Sequence, residues 1–210
     1  MWRAFADIIR RHSHAFLAST VAPASANQDT GSATTTEPHN YEMQLLAKYN
    51  LSSNSTNSND ERIRAIAKMG HLCWTGGTDV AEFAGKLYLP DLTAILENYM
   101  ESLAVKLQVV KTIAEFCYGN KTNQNLARSL SIIDSLINQM CTQEEDVEMR
   151  RWSLHALFFI LIDNDINQAV TMRNPNLKRC LRAGKKDSWE GWEHNEGTEL
   201  AFMLKLTLAI

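Results

Sequence analysis

The chain has 210 residues, 45% of them hydrophobic, with 21 Lys plus Arg against 24 Asp plus Glu and a net charge of −3. That length holds one domain of ordinary size with a tail, and the near balance of charge predicts neither a general nucleic-acid binder nor an acidic solvating chain. The longest strongly apolar run, 156–162, is seven residues, well short of the roughly 20 that a membrane-spanning helix needs.

Residues 1–20 read as an amphipathic basic helix. Trp2, Phe5, Ile9, His12 and Phe16 fall on one side and Arg3, Asp7, Arg10 and His14 on the other. Asp7, Arg10 and Arg11 interrupt the apolar stretch that a secretory signal requires. Three readings of Trp2, Phe5, Ile9 and Phe16 stay open: docking on the exposed end of the folded part, a membrane-surface anchor, or a mitochondrial presequence. Residues 21–40 are rich in Ala, Ser, Thr and Asn, with Pro23 and Pro38. They hold too few large apolar groups to offset ordering entropy and are expected to form a disordered linker. Residues 41–49 have helical spacing in Met43, Leu46 and Ala47, and a polar low-complexity loop follows through Asn59.

A regular folded region is expected from Asp60, so that 41–210 forms one domain. Asp60 suits an N-cap for a long helix through Trp74, with Gly76-Gly77 as its stop. Thr78 then caps a short helix over 79–87, and Pro90 opens a medium helix over 91–100. A second long helix over 103–118 closes on Gly119-Asn120. The order recurs as 123–130, 131–140, an acidic loop at 142–146, and 147–163. Two further helices are expected at 165–172 and 176–182, then a charged loop over 184–197 with Trp189 and Trp192. A final long helix is expected over 198–210, with Leu200, Met203, Leu204 and Leu208 keeping an apolar stripe.

The three long segments fall into register at an offset of 44. Arg62–Trp74, Lys106–Tyr118 and Arg150–Ile162 each open on a basic residue. They share the columns Ile66/Val110/Leu154, Met69/Ile113/Leu157 and Cys73/Cys117/Leu161. Spacing of i, i+3, i+7 marks a helix buried on one face, and a period in the forties marks stacked helical repeats. Such repeats shelter one another and more often build a binding surface than a catalytic site.

Short, medium and long helices at this period resemble the armadillo repeat. The segment Phe83-Ala84-Gly85-Lys86-Leu87-Tyr88-Leu89-Pro90-Asp91-Leu92-Thr93-Ala94-Ile95-Leu96 matches its glycine junction, apolar run and Leu-Leu pattern. Residues 110–120 match its third helix with the terminal glycine. The second junction has Ser129-Leu130-Ser131 in place of the glycine and the third has Pro175. The match covers roughly residues 60–210, and the chain is similar to the small armadillo-like helical domain-containing proteins. The resemblance implies an all-α, right-handed superhelical solenoid of about three repeats. It also implies a non-catalytic protein-protein interaction scaffold in the cytoplasm, whose third helices line a concave groove for a protein or peptide partner. The alternative is a peripheral membrane or mitochondrial factor held by residues 1–20.

Relatives that read basic import signals carry Trp and Asn four apart on the groove face. The corresponding pairs here are Ala67 and His71, Lys111 and Glu115, and His155 and Phe159. None is Trp–Asn, so the asparagine ladder is missing. The candidate groove set is therefore His71, Lys111, Glu115, His155 and Phe159, with mixed charge for register and aromatic area for contact. The competing reading is ordinary solvated and packing residues. Arg173, Lys178, Arg179, Arg182, Lys185 and Lys186 form a basic cluster without acid between them. Lacking aromatic interleaving, it reads as a solvated helix face, and no nucleic-acid partner is expected. Cys73, Cys117, Cys141 and Cys180 form no CxxC pair, His71 and His155 join no triad, and no phosphate loop occurs. No enzyme activity, metal, cofactor or small-molecule substrate is expected.

Overall fold

The computed structural model describes residues 58–142 and 146–207. These lie within one compact unit. The expected N-terminal helix, the linker and the 41–49 segment fall outside the described residues. Every regular element among the described residues is an α-helix: α1 (Asn59–Glu97), α2 (Leu103–Cys117), α3 (Lys121–Ser129), α4 (Ile132–Thr142), α5 (Val147–Leu161), α6 (Asp165–Thr171), α7 (Leu177–Lys186) and α8 (Glu196–Met203).

Local chemistry sets the ends. Ser58, two residues before Asp60, is the first N-cap. Its hydroxyl accepts from the Glu61 amide and the Glu61 carboxylate accepts from the Ser58 amide, a reciprocal capping box. Ser102, Asn120, Asp146, Asn164 and Asn195 cap α2, α3, α5, α6 and α8 in the same way through their side-chain oxygens. A left-handed residue follows each long segment: Gly77 (φ 82°), Gly119 (φ 58°), Asp163 (φ 54°) and Lys205 (φ 53°). The reversal thus recurs at intervals of 42, 44 and 42 residues. Glycine takes that conformation without the Cβ penalty, and at the last two positions ordinary residues carry it.

Two expected helices turn out to be one. From Thr78 to Glu97 the chain runs on through Pro90, which does not open a new helix. Proline removes the bond that position 90 would donate to the Lys86 carbonyl, and Lys86 and Pro90 are both exposed, so the loss falls on the outer side of the helix, where it costs least. Gly85 marks no break in the helix either; a Cβ there would lie 2.0 Å from Asn123 Oδ1, so the glycine admits the side chain of the next repeat. At the far end α7 extends to Lys186, four residues beyond the expected stop. The final helix is short, Glu196–Met203, turned out of its course at Lys205.

The three matched columns are the core. Ile66, Val110, Leu154, Met69, Ile113, Leu157, Cys117 and Leu161 are fully buried, and Cys73 is nearly so. Long segments pack in succession, α1 on α2, α2 on α5 and α5 on α8. The short helices α3 and α6 meet, and α4 meets both α1 and α7. Hydrogen bonds between successive repeats join residues 35 to 46 apart, one repeat length. Asn123 Nδ2 donates to the Ala81 and Phe116 carbonyls, both at 2.8 Å. Asn167, 44 residues on, repeats this with the Gln124 and Ile160 carbonyls at 2.9 and 3.0 Å. Each carboxamide therefore joins the preceding short helix to the preceding long one. The basic residue that opens each long segment is buried as well. Arg62 grips Glu101 at 2.9 and 2.5 Å and Arg150 grips Asp187 at 2.6 Å twice, bidentate pairs that fix orientation.

Replacing Asn167 with Ala removes the side-chain donor from two buried carbonyls and one of the two acceptors of the Arg128 guanidinium, which keeps Asn125. The expected loss is about 2–3 kcal/mol, seen as a lower denaturant midpoint at unchanged slope. A native midpoint for N167A would show that the amide joins nothing of consequence.

Candidate functional site: an aromatic row across the long helices

On the side of the long helices away from the core, aromatic rings meet edge to face from one repeat to the next. Trp74 of α1 lies 4.4 Å, centroid to centroid, from Tyr118, the C-cap of α2. Tyr118 lies 5.0 Å from Phe159 of α5, which lies 4.6 Å from His155. His155 meets Trp152 and Trp192, each at 5.4 Å; Trp192 in turn meets Trp152 at 4.8 Å and Trp189 at 5.2 Å. Tilted and T-shaped contacts of this kind match the ring quadrupoles. Trp74, Tyr118, Trp152, His155, Trp189 and Trp192 are half-buried. Each therefore has one part packed and another open to a partner.

Cations sit on this row. Lys111 Nζ lies 4.8 Å over the Trp152 ring and 3.2 Å from Glu148, and the Arg151 guanidinium stands 5.9 Å from the Trp189 centroid. His155 Nδ1 is 2.8 Å from Glu196 Oε1. A carboxylate only accepts, so Nδ1 carries the hydrogen and the ring is held in one orientation by the buried Glu196. This bond reaches from α5 to the first residue of α8 and sets the Trp152–His155–Trp192 cluster.

The five candidate groove residues lie on this face in two columns and play unequal parts. Lys111 and His155 are half-buried members of the row. Phe159 is 3% exposed, so it backs the row and presents little surface of its own. His71 and Glu115 occupy the junction of α1 and α2. The Glu115 carboxyl lies over Gly70, where a Cβ would fall 1.7 Å from Oε2, and beside Thr112. Neither Glu115 Oε2 nor His71 Nδ1 has a hydrogen-bond partner among the described residues. Burial pushes the Glu115 carboxyl up to about 8, Lys111 pulling weakly the other way. At neutral pH this acid is therefore largely uncharged.

Trp74, Tyr118, Trp152, Trp189 and Trp192 were not singled out by sequence. Trp74 and Tyr118 do share the offset of 44, a signal that could have found them. The loop tryptophans lie outside the repeating part, and no pattern marks them.

The basic cluster is elsewhere, on α7 and the turn before it. Arg173, Lys178, Arg179, Arg182, Lys185 and Lys186 are all exposed, while α7 packs through Leu177, Cys180, Leu181 and Gly184. Cys73 and Cys117 lie in the core, where burial pushes their thiols up, and Cys180 is pushed up to about 12 by burial and by Cys141, its sulfur 3.4 Å away. Among the described residues no group of three potential metal ligands forms, and no helix is long and apolar enough to cross a membrane.

All-helical units of short, medium and long segments, tied at one repeat length by buried amides, define an armadillo-like helical protein. A family model described as armadillo-like helical domain-containing protein 2 matches residues 1–207, and the chain belongs to that family. No curated protein and no solved structure matches it.

Because the folded-state pKa of Glu115 lies above its ordinary 4.5, the folded form binds its proton more tightly. Glu115 therefore costs stability as pH rises from about 4.5 to about 8. E115Q should flatten that part of the stability profile and exceed the native chain at pH 8 in chemical denaturation. Parallel profiles for the two proteins would show that the carboxyl ionises freely.

Proposed function

We propose that this chain is a non-catalytic interaction scaffold, a right-handed superhelix of about three armadillo-like repeats that receives a protein segment along its long-helix face. The single observation that carries the reading is the row of aromatic rings running from Trp74 to Trp189, half-buried except for Phe159 behind them, and continuous from one repeat to the next. Large rigid rings with one face packed supply contact area at small entropic cost, and they dominate binding energy at protein interfaces. Lys111 and Arg151 add cations among the rings. With Glu115 largely uncharged, this face suits a segment that alternates apolar anchors with carboxylates.

The test is affinity capture from cells with the native chain, with W152A/W192A, and with a control in which Lys178, Arg182 and Lys185 become Glu. Loss of the two rings should cut recovery of a discrete set of partners at least about tenfold, at unchanged circular dichroism, while the α7 control recovers them fully. Equal recovery by the tryptophan variant, or loss confined to the α7 variant, would overturn the proposal.

A further inference from the structure

Along the second half of α1, Phe83, Leu87, Pro90 and Ala94 follow one another at spacings of four, three and four, the rhythm of one side of a helix. All four are exposed, Phe83 by 48% and Leu87 by 49%, so the side is an unbroken apolar stripe. The equivalent positions one repeat later are covered. Stepping back 43 residues takes Gln124, whose carbonyl accepts from Asn167, onto Ala81, whose carbonyl accepts from Asn123. The same step takes Leu126 and Leu130 onto Phe83 and Leu87. In the medium helices Cys180 bonds the Ile137 carbonyl as Gln139 bonds that of Leu96, a step of 41 that takes Ser135 onto Ala94. Leu126 and Leu130 are half-buried and Ser135 is 5% exposed, its hydroxyl donating to Glu97 of the preceding repeat. The stripe is therefore the face on which a preceding helix would stack.

We propose that this chain's own residues 41–49 cover the stripe as that helix. Two observations favour this occupant. Leu45-Leu46 repeats the apolar pair of the medium helices, Ile95-Leu96 and Leu136-Ile137, all four of which are buried. The chain also enters at the correct end. Arg62, in the first turn of α1, is paired with Glu101, just beyond the end of the stripe-bearing half, so Ser58 stands near that end. From there the polar residues 50–57 reach at most about 27 Å. Nine helical residues span roughly 14 Å, against about 17 Å from position 83 to 94.

In the full-length chain, a photoreactive benzoylphenylalanine in place of Phe83 reads the occupant directly. Irradiation of a mixture of heavy- and light-isotope chains should give cross-links to 41–49 within one chain. L45D/L46D should reduce their yield about tenfold without loss of the helical circular dichroism signal. The native cross-link does not depend on the variant folding. Cross-links between heavy and light chains would assign the stripe to a second copy, and cross-links to residues 1–20 would assign it to the basic segment. Either result, or the absence of any cross-link, overturns the proposal.

Discussion

No helix pair in this chain can shelter its own apolar face, and the structure follows from that constraint. Ile66, Val110 and Leu154 occupy the same place in three successive long segments and are each fully buried, because α1, α2 and α5 lie against one another in turn. Apolar contact of this kind sets proximity but not register. Register comes from the carboxamides of Asn123 and Asn167, each of which must find two buried carbonyls at once, one in the preceding repeat and one in its own. A slip by one residue would leave those groups without partners, at a cost of about 1–3 kcal/mol for each.

The same division of labour appears at the edges. Arg62 and Arg150 stand 88 residues apart, two repeats, and each carries its guanidinium into a nearly closed site against an acid that lies just ahead of the next long segment. Burying such a pair gains little net energy over an apolar one, and its value lies in fixed geometry. In the second repeat Lys106 takes this place, also buried. Desolvation lowers its pKa there and Glu101 partly offsets that. One basic position, repeated at the same interval, thus places a buried cation at the start of each long helix, held in the first and third by an acid just ahead of the next long segment.

Much of this frame was legible because two periodicities coincide. A spacing near 3.6 identifies a buried helix face, and its return after 44 residues identifies the neighbour that buries it. Nothing in that pattern separates a helix broken at Pro90 from one that runs through it, since the outcome turns on which side of the helix the lost bond falls. Nor does periodicity tell a buried Phe159 from a presented one. Phe159, Glu115 and His71 share a column, yet their exposure depends on what the neighbouring repeat places beside them. Tyr118 and His155 pack against Phe159, and Gly70 lets the Glu115 carboxyl in. Trp189 and Trp192 enter the row from an irregular loop, so only the fold could bring them there.

Composition also misleads about the charge of the long-helix face. Counted from sequence, Glu115 and Glu148 balance Lys111 and Arg151. In the fold, burial against Gly70 pushes the Glu115 carboxyl up to about 8, while Glu148, more than half exposed, pairs with Lys111. Toward solvent stands a line of rings with cations already resting on two of them. A ring face engaged by a lysine is less available to a second cation, since both would draw on the same quadrupole. A segment received on this face, as proposed, would meet rings already carrying cations, an arrangement set by packing that no count of residues contains.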